Sequence, residues 1–314
     1  MKAVRFHEYG GPEVLRVEEV DIPFPSEGQV LVRVAATSFN GVEGNIRAGR
    51  MQGPMPLELP HTPGLDVAGT VEALGQGVDR LQVGDPVIGF LPFVDDGAAA
   101  EYVVVAADRL APAPRSIPLT DAAALPLVGL TAWQALFEYA GLQAGQRILI
   151  NGASGAVGGY AVQLAKAAGA IVIATASAGT KDQVQARGAD DVIDYTAVEV
   201  SAWVNEPVDV LLNLAPIDPE QLTALTSRVR DGGVVVNTTV WMPAPSDEER
   251  GVRGIDMYVR SDATELAELS ARVDRAELIV DVAERIPMAD LVSVHTRAAA
   301  GTLTGKVVVL PSTA

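Results

Sequence analysis

Cysteine is absent from the chain of 314 residues, and histidine occurs only at His7, His61 and His295. Without cysteine there are no disulfides, zinc–thiolate centres, iron–sulfur clusters or thiol nucleophiles. The three histidines lie far apart in sequence, which argues against a metal site built from histidine alone. We therefore predict that the chain holds no metal ion.

Basic residues and long apolar runs are also scarce. The chain has 23 Lys and Arg against 40 Asp and Glu, a formal net charge of −17. Such a chain is repelled by nucleic-acid phosphates and anionic lipid, so neither is an expected partner. The longest uncharged stretch, Ile148 to Ala165, contains polar side chains and four glycines and does not resemble a membrane span. The N-terminus lacks the apolar segment of a signal peptide, so the expected location is the cytoplasm.

The pattern of the chain changes near Pro112. Before it, short β-branched runs separated by Gly and Pro predict a barrel-like or sandwich-like antiparallel unit. After it, helices alternate with uninterrupted apolar strands, which is typical of an α/β fold with a parallel sheet covered on both faces. Ala111 to Pro114 is expected to be a linker between the two regions, and Asp274 to Ala283 a helix.

A glycine-rich turn joins an apolar strand, Arg147 to Asn151, to an Ala-rich helix. The segment Ala153-Ser154-Gly155-Ala156-Val157-Gly158 matches the dinucleotide-binding fingerprint, with Ala at its first position. Gly155 lets a pyrophosphate approach the backbone, and Gly158 lets the helix pack closely on the strand. Because strand, turn and helix follow in the required order, we predict a nucleotide site here.

The residues after the next strand distinguish NADP from NAD. Ile171 to Ser177 contains no acid that would bind a ribose 2′-hydroxyl, whereas Ser177 and Lys181 suit a 2′-phosphate, with Tyr195 nearby in sequence. The expected cofactor is NADPH. None of the tyrosines is followed four residues later by lysine, which excludes the Tyr-x-x-x-Lys chemistry of short-chain dehydrogenases.

Motifs along nearly the whole chain resemble the medium-chain dehydrogenase/reductase superfamily, in its zinc-free quinone oxidoreductase (zeta-crystallin-like) branch. They are Asn40, Ile46 to Gly49, Leu59 to Val71, Val83 to Val87, Leu130 to Trp133, the glycine loop, Gly188 to Tyr195 and Gly305 to Val308. The resemblance implies a doubly wound Rossmann domain, residues 121–260, inserted into a GroES-like β-barrel catalytic domain, residues 1–120 completed by 261–314. It also implies an active site in the cleft between the domains.

Zinc ligands of the alcohol dehydrogenase branch have no counterpart in this chain. Leu65 stands where that branch has a histidine, and no cysteine lies near Asn40. Lewis-acid activation of an alcohol is thus not expected, and the resemblance favours hydride transfer from the cofactor to a quinone or an α,β-unsaturated carbonyl.

Site residues follow from the same resemblance. Asn40 is expected to position the substrate and nicotinamide, with Glu43 and Tyr258 as further catalytic candidates. Residues expected to hold the nicotinamide and its ribose are Thr131, Asn213, Leu214, Ala215, Thr238, Thr239 and Val240. Phe90, Phe93, Trp241 and Met242 are candidates for an apolar wall around a flat substrate, although each of them fits a core position equally well.

Two other functions stay open: an enoyl-thioester reductase acting on CoA or acyl-carrier esters, and a non-catalytic NADPH-binding protein. The family often dimerises through an edge strand of the Rossmann sheet. Gly233 to Val240 is apolar and uncharged, so we expect it to form that edge in a homodimer.

Overall fold

The computed structural model describes residues 1–239 and 241–311, which form two compact units. The first unit consists of Met1–Leu127 and Ser261–Ala314, and the second of Val128–Arg260. Val240, predicted to help hold the nicotinamide and its ribose, lies outside the described residues.

The first unit begins with short strands and little helix. Its first strands are β1 Lys2–Arg5, β2 Arg16–Glu19, β3 Gln29–Ser38, β4 Asp66–Leu74, β5 Pro86–Phe90, β6 Tyr102–Ala106 and β7 Leu110–Pro112. Its first helices are α1 Gly41–Arg47 and α2 Leu119–Ala122. Strand β3 is the centre, antiparallel to both β4 and β6, and Val30, Val32 and Val34 on one of its faces are buried in the core. These three valines share a face because successive side chains of a strand point to opposite sides.

The expectation of a linker at Ala111 to Pro114 is wrong. Leu110–Pro112 is strand β7, which pairs with β5 at the end of the sheet, and the Ala113 N–H donates to the Pro86 carbonyl at 3.0 Å. Proline has no N–H for a second neighbour, so the end of a sheet is where a strand can contain it.

The second unit is a parallel sheet with intervening helices. Its helices are α3 Pro126–Trp133, which begins at the unit boundary, α4 Ala156–Ala167, α5 Lys181–Ala186, α6 Val200–Trp203 and α7 Pro219–Thr226. Its strands are β8 Arg147–Asn151, β9 Ile171–Ala176, β10 Asp191–Asp194, β11 Val208–Asn213, β12 Val229–Asn237 and β13 Arg253–Asp256. A π-helical turn, Gln134–Tyr139, continues α3.

The order of this sheet is β10-β9-β8-β11-β12-β13, and every pair in it is parallel. This is the Rossmann order: successive strands are added on one side of β8 as far as β10 and on its other side from β11 onward, and the carboxyl ends of β8 and β11 form a ligand crevice at this switch point. The α/β class and the doubly wound sheet are confirmed.

Residues 233–237 do not form the edge of this sheet, contrary to expectation. They belong to β12, which has β11 on one side and β13 on the other. The edge strand on this side of the sheet is β13, which is polar and only four residues long. Hydrophobicity alone therefore indicates the wrong strand as the edge.

The chain then returns to the first unit through α8 Ala263–Asp274, β14 Glu284–Pro287, α9 Leu291–Ala299 and β15 Val307–Leu310. Strand β15 pairs antiparallel with β3, which joins the two ends of the chain in one sheet.

The expected helix from Asp274 to Ala283 is wrong. Helix α8 ends at Asp274, where one carboxylate oxygen accepts the Arg115 and Ser116 N–H groups at 2.7 and 2.8 Å. Ala276 then has φ 57°, which ends the helical path. In the described ranges no helix is long and apolar enough to cross a membrane.

Candidate functional site

The glycine loop has the geometry that a dinucleotide fingerprint requires. Gly152 directly follows β8 and has a φ of 90°, which favours glycine, and Gly155 is the N-cap of α4. A Cβ on Gly158 would lie 2.5 Å from both the Ala153 Cα and the Gly152 oxygen. Only glycine at position 158 therefore allows α4 to approach the loop this closely. The first-turn N–H groups of an α-helix lack intrahelical acceptors, so they are available to an anion.

A cavity of about 570 Å³, the larger cavity, lies beside this loop. Its lining includes Asn151, Gly152, Ser154, Gly155, Thr175, Tyr195, Glu199, Leu214, Ala215, Ile217 and Asp218. The volume is in the range of small-molecule sites, and polar groups are interspersed with apolar ones. The loop and the cavity together fit the adenosine and pyrophosphate portions of a dinucleotide.

Ser177 and Lys181 are not among the lining residues, but both lie just after β9. Ser177 Oγ is 3.1 Å from Thr180 Oγ1, and Lys181, at the start of α5, is exposed. Hydrogen bonds from Thr196 lower the pKa of the Asp194 carboxyl, and Lys181 adds to this effect.

A second, smaller cavity of about 140 Å³ lies further along the same edge of the sheet. It is lined by Asn237, Thr238, Thr239, Trp241, Pro243, Asp256, Met257 and Tyr258. Trp241 and Tyr258 are both more than half exposed, so their rings present apolar surface beside polar groups.

In the first unit, four polar side chains form a buried cluster: Asn40, Glu43, Asp66 and Lys306. Lys306 Nζ donates to Asn40 Oδ1 at 2.6 Å and lies 3.4 Å from Asp66 Oδ2. The Asn40 amide donates to Asp66 Oδ2 at 2.8 Å and to Glu43 Oε1 at 3.2 Å. Both ends of the Asn40 amide are thus engaged inside the protein.

Burial raises the pKa of Glu43 to about 7; the hydrogen bond from Asn40 and the Lys306 charge oppose the shift, and the Asp66 charge adds to it. Burial also lowers the pKa of Lys306, against the attraction of Asp66 and Glu43. Glu43 Oε1 accepts from Asn40 and from the Leu65 N–H at 3.4 Å. The side chain also lines a narrow pocket with His61, Leu65 and Phe93.

The remaining predicted residues are distributed between the two units. Ala153 is buried, while Ala156 and Val157 begin α4. Thr131 is a buried residue of α3, and Met242 belongs to the core of the second unit. In the first unit Phe90 is buried, with its ring 5.4 Å from that of Phe93.

Sequence reasoning missed Asp66 and Lys306 as partners of Asn40 and Glu43. Each is a charged residue at the start of an apolar strand, Asp66 in β4 and Lys306 just before β15. A charged residue at the start of an apolar strand is a signal for a buried ion pair, but nothing in the sequence shows which charged side chains contact each other.

Leu65, at the position of the zinc-ligand histidine, is buried. Among the residues that the structure describes, no group of three or more His, Asp or Glu side chains is arranged to hold a metal ion.

A GroES-like unit and a Rossmann unit with a glycine loop define an alcohol dehydrogenase-type architecture. The family model for an alcohol dehydrogenase GroES-like domain matches residues 26–115, and that for a zinc-binding dehydrogenase matches residues 187–309. The chain belongs to the medium-chain dehydrogenase/reductase superfamily, and the relatives it matches include quinone oxidoreductases.

The chloroplastic quinone-oxidoreductase homologue of Spinacia oleracea is 38% identical over 205 residues, 63% of this chain and 62% of that protein. The chain thus aligns with less than two thirds of that relative's length. The solved quinone oxidoreductase of Coxiella burnetii matches at a TM-score of 0.90 and 27% identity, covering 99% of both chains. The solved structure of the Escherichia coli quinone oxidoreductase complexed with NADPH matches at a TM-score of 0.88 and 25% identity, covering 99% of this chain and all of that one.

Proposed function

We propose that this chain is an NADPH-dependent oxidoreductase that reduces quinones or α,β-unsaturated carbonyls without a metal ion. The glycine loop with its adjoining cavity carries the proposal, because it is the feature that fits a dinucleotide most closely. The names of the relatives, quinone oxidoreductases including one complexed with NADPH, support it.

When bound, NADPH supplies a hydride, so the protein's own task is to hold the two reactants and to provide a proton. The N-terminal turn of α4 and Gly155 would bind the pyrophosphate. Ser177 and the Lys181 ammonium would bind the 2′-phosphate.

Glu43 is our choice for the proton donor. Reduction of an enone or a quinone needs a proton for each hydride, and a buried carboxyl with a pKa of about 7 is suited to general-acid catalysis at neutral pH. Because Oε1 accepts two hydrogen bonds, the acid proton belongs on Oε2. Asn40 and Lys306, both engaged within the cluster, would act as positioning residues for Glu43.

A screen of NADPH oxidation tests the reaction. We expect turnover with at least one quinone or enone, and faster turnover with NADPH than with NADH. Preferential use of an enoyl-CoA ester would instead favour a thioester reductase. Absence of turnover across the whole panel, with NADPH still bound, would favour a non-catalytic binding protein.

The preference for NADPH is tested at Lys181. Lys181→Gln should raise the Kd of NADPH about tenfold through loss of one charge-assisted hydrogen bond, and should leave that of NADH nearly unchanged. Arg253→Gln is the matched control, because Arg253 is also exposed and basic in the same unit. An equal loss of affinity for both cofactors in Lys181→Gln would contradict the assignment.

The role of Glu43 is tested by the pH profile. In the parent protein kcat/KM should fall about tenfold per pH unit above pH 7, as the acid form is lost. Glu43→Gln should have a lower kcat/KM, and its kcat/KM should no longer fall above pH 7. Glu58→Gln, at an exposed glutamate, should keep the fall above pH 7. If kcat/KM of Glu43→Gln still fell above pH 7 as in the parent protein, Glu43 would be excluded as the acid.

A further inference from the structure

A continuous line of side-chain hydrogen bonds runs along the carboxyl edge of the parallel sheet. Thr175 Oγ1 donates to Asn151 Oδ1 at 2.9 Å, and Asn151 Nδ2 donates to Asn213 Oδ1 at 2.8 Å. Asn213 Nδ2 donates to Asn237 Oδ1 at 2.9 Å, and Asn237 Nδ2 to Asp256 Oδ1 at 3.2 Å. We call these five residues the Asn ladder.

The ladder crosses the five adjacent strands β9, β8, β11, β12 and β13, with one residue from each. Four of its members, all except Asp256, are at least 95% buried. At ~4.8 Å per strand spacing it extends over about 19 Å.

The direction of the ladder is fixed at both ends. At one end the Gly152 N–H, which can only donate, donates to Thr175 Oγ1 at 2.9 Å. At the other end the Asp256 carboxylate can only accept. Rotating any one of the three amides would place oxygen against oxygen or NH₂ against NH₂. The amides therefore hold a single orientation together, which is the condition for cooperative behaviour in a hydrogen-bond chain.

The two ends of the ladder belong to different cavities. Thr175, Asn151 and Gly152 line the larger cavity, and Asn237 and Asp256 line the smaller one. Asn237 also bonds to two residues near the smaller cavity, because its amide accepts from Thr239 Oγ1 at 2.7 Å and donates to the Met242 carbonyl at 2.5 Å.

We propose that the Asn ladder is a positioning unit that couples the two cavities, so that binding of the adenosine portion of the cofactor in the larger cavity orders the smaller one. This inference rests on the proposed function for its ligand. A ligand that fixes the glycine loop fixes the Gly152 N–H and thereby the Thr175 hydroxyl. The amides then carry the constraint to Asn237. Linkage requires the reverse effect to have the same size.

The first test measures binding of adenosine 2′,5′-bisphosphate, which lacks the nicotinamide portion, to the full chain by calorimetry. We expect Thr175→Val to raise Kd about fivefold and Asp256→Ala about threefold, effects within the range of coupling through packed networks. The double variant should show about fivefold rather than the fifteenfold product, because both changes interrupt one ladder. Arg253→Gln, on the same strand as Asp256, should leave Kd unchanged.

An unchanged Kd in Asp256→Ala, or a double variant that reaches the product of the single effects, would overturn the coupling. Neither result would affect the proposed function, which depends on binding and turnover by the parent protein.

The second test uses the side-chain amide resonances of the parent protein and needs no buried substitution. Addition of adenosine 2′,5′-bisphosphate should shift the amides of Asn213 and Asn237, which do not line the larger cavity. Without any nucleotide, Asp256→Ala should shift the Asn151 amide, three strands away, whereas Arg253→Gln should not. A shift confined to Asn237 would overturn the ladder as a unit, whether or not the protein binds a nucleotide.

Discussion

His295 and Glu43 are both buried in the first unit, yet burial shifts their pKa values in opposite directions. A buried base resists taking up a proton, and a buried acid resists losing one. Burial and the nearby Arg47 charge lower the pKa of His295 to about 3. Arg47 Nε donates to His295 Nδ1 at 3.3 Å, so the ring is neutral with its hydrogen on Nε2, a buried atom with no hydrogen-bond partner among the described residues.

His295 should make the protein less stable in mild acid. In the unfolded chain histidine takes up a proton near pH 6.5, whereas the folded protein resists this down to about pH 3. The free energy of unfolding should therefore fall by about 1.4 kcal/mol per pH unit as the pH decreases below 6.5. Urea unfolding at pH 7.5, 6.5 and 5.5 measures this loss.

His295→Gln is the comparison, since glutamine does not titrate. Its stability should change less than that of the parent protein between pH 6.5 and 5.5. Parallel stability curves for the two proteins would show that His295 does not carry the effect. His61, also buried and with a lowered pKa, shifts both curves equally.

At the scale of single elements, sequence predicted the parts whose signals are local. The sequence predicts the strand, turn and helix from Arg147 to Ala167 because an apolar run, a glycine-rich turn and an Ala-rich segment follow one another directly. Strand β7 and the end of α8 were missed because distant partners decide them. Asp274 accepts hydrogen bonds from backbone groups near residue 115, a contact that no local pattern encodes.

The same limit applies to the candidate site. Asn40 and Glu43 lie on one short segment and were named from its motif. Their partner Lys306 is 266 residues away from Asn40, and only the folded sheet brings β15 beside β3. The Asn ladder was likewise invisible, because it depends on the spatial order of strands that are not consecutive.

Two neighbouring glycines of α4 should respond in opposite ways to alanine. A Cβ on Gly158 would lie 2.5 Å from loop backbone, so Gly158→Ala should push the helix away from the loop and weaken NADPH binding at least tenfold. A Cβ on Gly159 meets no atom within 4 Å, so Gly159→Ala should stabilise the protein by ~0.5–1 kcal/mol through helix propensity. Fluorescence titration with NADPH and thermal unfolding measure the two effects. Equal affinities in both variants would contradict the close packing at Gly158.

At the scale of the whole molecule, the negative net charge of the protein repels NADPH, the anionic ligand that we propose. The chain carries −17, and even between residues 128 and 260 there are nine Lys and Arg against fifteen Asp and Glu. An anionic dinucleotide therefore approaches a negative protein, and in our proposal the α4 N-terminus and Lys181 attract it. Long-range repulsion acts on the encounter, whereas these contacts act once the cofactor is bound.

Salt should therefore speed up NADPH association, the reverse of the usual behaviour of anion sites. Between 10 mM and 200 mM NaCl the screening length falls from ~30 Å to below 10 Å, which removes most of the repulsion of distant carboxylates but weakens the short-range contact at Lys181 much less. Stopped-flow fluorescence should show a rising association rate constant, and a smaller rise for NADH, which lacks the 2′-phosphate. Since salt also weakens the Lys181 contact, the NADPH dissociation rate should increase as well. An association rate that falls with salt would mean that positive potential at the glycine loop outweighs the charge of the whole chain.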